Sequence, residues 1–161
     1  MQKWGIDMNK LEELQEEAFQ RNIDVIDYNF KSDRIKGLYY NGNIALSKSL
    51  EPAEKACVLA EELEHHIVNW GDIIDQKATS NRKQERHARL KAYDRMIGLM
   101  GIISAYKAHC TNIFEMAEYL EVSEAFLIEA LETYRSKYGE CTKVDNYVIY
   151  FEPYLSVFEL I

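Results

Sequence analysis

Two rhythms of apolar and polar positions alternate along this chain. Residues 9–21, NKLEELQEEAFQR, set Leu11, Leu14, Ala18 and Phe19 at helical spacing, with Asn9 ahead of them as the predicted N-cap. The period then shortens. IDVIDYNF and RIKGLYYNGNIALS are rich in β-branched and aromatic residues, and Asn41-Gly42 falls between two apolar runs, where a tight primed turn belongs. Strands are expected near 23–28, 34–40 and 43–47, forming a small antiparallel sheet. From Glu51-Pro52 the helical period returns. Pro52 suits a first helical turn, and Ala56, Leu59, Ala60, Leu63 and Ile67 form one inward stripe that should end near Trp70-Gly71. DIIDQKATS reads as a loop. The next helix is predicted from about Asn81 to about His109, broken near Gly98 or Gly101. Residues 112–138 read as two short helices around a turn at Glu121-Val122, with Ser123 and Glu124 opening the second. The tail offers one strand, Tyr147 to Phe151, before FEPYLSVFELI.

This order of elements predicts an α+β fold. Residues 1–50 would hold a helix and the small sheet, 51–110 two central helices, and 111–161 a helical pair and a terminal strand. No internal repeat and no Pro/Gly/Ser-rich linker interrupts the chain, so a single domain over 1–161 is expected. A hydrophobic content of 47% is ample for a buried core. The longest apolar run, Met96-Ile97-Gly98-Leu99-Met100-Gly101-Ile102-Ile103, is far too short to cross a bilayer. The N-terminus, MQKWGIDMNK, shows no apolar signal region. The cysteines Cys57, Cys110 and Cys141 are odd in number and widely spaced, which suits reduced thiols and a cytoplasmic setting. A formal charge of −8 argues against direct nucleic-acid binding, because nothing would balance the phosphates.

The chemistry concentrates in LAEELEHHIVNWGDI, residues 59–73. Glu61-Glu62-Leu63-Glu64-His65 has the form of the zincin motif H-E-x-x-H with glutamate in place of the first histidine. Residues four apart share a helix face, so Glu61 and His65 can both reach one ion, with Glu62 beside them as the candidate proton acceptor. A zinc site needs a third protein ligand and an open position for water. Glu85, on the next predicted helix, is the best placed candidate; Asp72 and His66 are weaker ones, and His87 would project away from Glu85. The plainer alternative is a Glu-rich helix with a solvated face. Against it, the three residues sit inside an otherwise apolar stretch, CVLAEELEHHIV, and Glu85 follows at a workable spacing.

The run AEKACVLAEELEHHIVNWGDIIDQ followed by NRKQERHARLKAY resembles the ImmA/IrrE family of metallopeptidases, in the short forms found in phages and mobile elements. The likeness extends over most of the chain, from NFKSDRIKGLYYNGNIAL through FEMAEYLEVSEAFLIEALETYRSKYG to DNYVIYFEP. It implies a zincin-like, zinc-dependent endopeptidase that cleaves a helix-turn-helix repressor. Under that resemblance His65 matches the second ligand histidine, Glu62 the general base and Glu85, in E-R-H-A, the downstream carboxylate ligand. Glu61 departs from the family pattern. A Glu61/His65/Glu85 site would be harder and more anionic than its relatives, more tolerant of manganese or magnesium, and less able to acidify a bound water. That departure feeds an alternative: a noncatalytic module of the same fold that docks a repressor or another regulatory protein.

Other features have plainer readings. NIFEMAEYLEVSEAFLIEAL has helix-turn-helix spacing, but Glu124, Glu129 and Glu132 on its second helix would repel phosphate, so packing or partner docking is expected. Arg82, Lys83, Arg86, Arg89 and Lys91 form a basic cluster that reads as a solvated face. Tyr93, His66 and Tyr106 are the candidate donors to a reaction oxyanion.

Overall fold

The structure, a computed structural model, describes residues 7–71 and 78–161. Among them lie six α-helices and two three-stranded sheets, the expected α+β composition. The chain divides into two compact units, residues 1–75 and 76–161, each with its own buried apolar side chains.

The first unit runs α1 (Lys10–Gln20), β1 (Val25–Tyr28), β2 (Gly37–Tyr40), β3 (Asn43–Ser47) and α2 (Pro52–Gly71). Asn9 caps α1 as its position predicts. Its side chain accepts the Glu12 N–H at 2.9 Å, while the Glu12 carboxylate accepts the Asn9 N–H at 3.0 Å. Two donors that a helix end leaves open are thereby satisfied. Leu14 and Ala18 are buried, whereas Phe19, one step further round the helix, is exposed. Asn41 and Gly42 take φ of 49° and 77°, the left-handed pair that a primed hairpin turn between β2 and β3 requires.

The sheet differs from the expected antiparallel one. Its order is β1-β3-β2, and β1 runs parallel to β3, with Val25 opposite Ile44 and Tyr28 opposite Ser47. Residues 29–36 carry the chain past the place of β3. The strand richest in buried apolar groups, with Ile44 and Leu46, therefore takes the centre, where both of its edges are paired. Helix α2 packs on β2, β3 and α1, burying Ala56, Leu59, Ala60 and Leu63.

The second unit holds α3 (Ala78–Met96), α4 (Gly98–Lys107), α5 (Ile113–Leu120), α6 (Glu124–Tyr138), β4 (Cys141–Val144), β5 (Tyr147–Tyr150) and β6 (Ser156–Glu159). The predicted long helix breaks at Gly98, which takes φ of 62°. Glu121 at φ 57° ends α5, and the Ser123 hydroxyl accepts the Phe126 N–H at 3.2 Å to open α6. Two reciprocal bonds join α3 to α6: Tyr93 donates to Glu129 at 3.0 Å, and Tyr134 donates to Asp94 at 2.9 Å.

The single strand expected in the tail is the middle of an antiparallel sheet, β4-β5-β6. CTKV offers no apolar run, and the clue to β4 was the Asp145-Asn146 pair, which turns with Asp145 at φ 52°. Among the described residues no helix is long and apolar enough to cross a membrane.

Candidate active site

Helical geometry on α2 sets Glu61 and His65 one turn apart on a common face and Glu62 about 100° round from Glu61. All three are partly buried, and Glu64 between them is buried. Edge strand β2 lies against this stretch. Its side chains alternate, so that Leu38 and Tyr40 are exposed while Gly37 and Tyr39 face α2. A Cβ at Gly37 would stand 2.5 Å from Val58 Cγ1 and 3.4 Å from Glu62 Oε1. Glycine there lets strand and helix approach this closely. The Tyr39 main-chain N–H lies toward the Glu62 carboxylate and favours its charged form. Its phenol oxygen lies 2.7 Å from His66 Nδ1, and the two rings meet edge to face at 5.2 Å.

The surroundings change the chemistry of these groups. Burial, and then the Glu61 charge beside it, push the Glu62 carboxyl up to about 7, against the opposing pull of the Tyr39 N–H. The His66 imidazole is held below its ordinary value, first by burial and then by the Arg21 guanidinium. It is therefore neutral at pH 7. A carboxyl poised near neutrality beside two candidate ligands fits proton transfer as well as it fits a charged helix surface.

The remaining candidates are placed as follows. Glu85 is exposed on α3 in the second unit, and helical spacing puts it on the same face as the fully buried Ala88 and Ala92. His87, also exposed, lies about 160° round the helix from Glu85, so the two side chains project apart. Asp72 falls outside the described residues. Tyr93 is buried against Phe126 and donates to Glu129, which commits its hydroxyl within the second unit. Tyr106 is exposed and lines a groove of about 270 Å³ with Cys110 and Met116. Arg82, Lys83, Arg86, Arg89 and Lys91 are all exposed, as a solvated basic face requires. Glu124, Glu129 and Glu132 are exposed on α6, which leaves that helix acidic.

Among the described residues, no group of three or more His, Cys, Asp or Glu side chains is gathered as a cation site. The chemistry of α2 still fits a divalent ion in part. Glu61 and His65 offer oxygen and nitrogen donors one turn apart, and the crowding that raises Glu62 is what a nearby cation would relieve. Gly37 and Tyr39 were missed in the sequence. Their only signal there is the two-residue alternation of GLYY, which says that they share a face and not what the face meets.

A family profile described as the IrrE N-terminal-like domain, of a peptidase family, matches residues 18–132, well over half of the chain. The chain belongs to this family. The match covers α2 with its E-E-x-x-H and α3 with Glu85, and the family resemblance holds. The family is one of metallopeptidases, and its zincin-like architecture is compatible with the α+β fold found here. No curated protein and no solved structure matches the chain.

Proposed function

We propose that this family member is a zinc-dependent endopeptidase of the cytoplasm that cleaves a helix-turn-helix repressor of a phage or mobile element. The observation that carries the reading is Glu62. It stands at the general-base position of the motif on α2, half-buried, with its carboxyl pushed up to about 7. Glu61, His65 and Glu85 would hold the ion, with manganese or another divalent metal as substitutes suited to a carboxylate-rich set. When bound, such an ion supplies a Lewis acid for the scissile carbonyl and an acidified water. Glu62, as the carboxylate, takes the proton of the attacking water and passes it to the leaving amine nitrogen. A group whose affinity for protons lies near the working pH does both steps efficiently.

The second reading, a noncatalytic module that docks a repressor, is favoured by Glu61 in the first ligand position. One experiment separates the two. The purified protein is analysed for bound metal and then incubated with helix-turn-helix repressors from neighbouring genes, alongside Glu62→Gln. Metal in both proteins and cutting only by the wild type supports the peptidase. Repressor bound but uncut by both forms supports the docking module.

A further inference from the structure

Glu62 and His66 sit one turn apart on α2, and one residue of the opposing strand touches both. We propose that Tyr39 is a positioning residue: its main-chain N–H holds the Glu62 carboxylate and its phenol holds the His66 ring in one tautomer, while Gly37 leaves the room that brings β2 this close. The role assigned to Glu62 rests on the peptidase reading; the geometry does not.

A glutamate has three side-chain torsions, and an unrestrained one samples many positions. Here the carboxylate is confined on two sides. The Cα of Gly37 presses close enough that an added Cβ would meet Glu62 Cγ and Oε1 at 3.4 Å, and the Tyr39 N–H, lying toward the carboxylate from the strand, favours its charged form. Proton transfer depends on a base held within hydrogen-bond reach of its target, so such confinement acts on the rate of the chemical step more than on substrate binding.

The phenol extends the same arrangement. A phenol O–H is a stronger hydrogen-bond donor than a neutral imidazole N–H, so Tyr39 donates to His66 Nδ1 at 2.7 Å. The ring proton then resides on Nε2, and the other nitrogen is fixed as a donor. The edge-to-face contact at 5.2 Å holds the two rings in register. The main-chain N–H of Tyr39 and the side-chain bond from its tip therefore tie successive turns of α2 to a single strand residue. Substitution of its phenol alone leaves the N–H in place and isolates the second tie.

The test uses the full chain in two arms. In the first, ¹⁵N-labelled metal-chelated protein is examined by long-range ¹H–¹⁵N correlation, with the His66 ring assigned by its loss in His66→Gln. The wild type should show an unprotonated Nδ1 and a proton on Nε2, and Tyr39→Phe should abolish that pattern in favour of mixed tautomers. In the second, zinc-loaded protein is assayed on labelled casein. Tyr39→Phe should lower kcat about tenfold with KM changed less than about twofold, and Gly37→Ala should lower kcat at least as far. A wild-type ring protonated on Nδ1, or a pattern that Tyr39→Phe leaves intact, overturns the proposal whether or not casein is cut. Casein cut equally by wild type and Tyr39→Phe also overturns it, while the peptidase reading stands. The expected tautomer shift without cleavage by the wild type supports the positioning and counts against the peptidase.

Discussion

At Glu62 the fold stores its clearest electrochemical signal. Burial and the Glu61 charge raise this carboxyl from 4.5 to about 7. The native state therefore binds the proton more tightly than the unfolded chain. The associated stability is fully present below about 4.5 and is lost as pH rises through about 7. Glu62→Gln keeps the shape and stays neutral. In chelated protein it is expected to exceed the wild type in stability at about pH 8 by on the order of 1–3 kcal/mol, allowing for solvent screening. At about pH 4 the two should melt together. Melting curves at both pH values check this, and a difference that ignores pH would show that Glu62 is not in the environment described. Glu61 is the other informative position. Glu61→His replaces one anion by a neutral nitrogen donor and should bind zinc more tightly by about tenfold or more, measured by competition with a chromophoric chelator.

Element ends and turns were the most legible part of the fold, because each is encoded by neighbours in sequence. Asn9, Asn41 with Gly42, and Ser123 all act where their types predicted, and Gly98 divides α3 from α4 as foreseen. The clamps between α3 and α6 were not legible. Tyr93 reaches Glu129 and Tyr134 reaches Asp94, pairs joined by no local pattern. The Tyr134 ring is fully buried, and burial together with the Asp94 charge pushes its hydroxyl far up, so the phenol stays a donor throughout the working pH range. Tyr134→Phe, which keeps the ring and removes the bond, should lower stability by about 1 kcal/mol in urea unfolding. No change would mean that the Asp94 bond contributes nothing net.

For the molecule as a whole, the charge of −8 governs its encounters. The exposed acidic residues of α6 favour packing or partner docking over DNA contact for its helix-turn-helix spacing, and a phosphate backbone should be repelled. A gel-shift assay with duplex DNA at low salt, where electrostatic binding is strongest, is expected to show no complex. The family match spans the division between the two units, so the candidate residues are shared out between them, with Glu61, Glu62 and His65 in the first and Glu85 in the second.

From the linear chain alone came the periodicities, the end signals, the α+β order of elements and the family motif with its altered first position. All of these are relations among residues within a few turns or strand lengths of one another. Three dimensions added the parallel pairing of β1 with β3, the flanking strands of the tail sheet, and the approach of Gly37 and Tyr39 to Glu62 and His66. Each of these joins segments whose separation along the chain leaves no periodic trace. Burial, the larger of the two causes that move Glu62 toward neutrality, exists only once such segments have met.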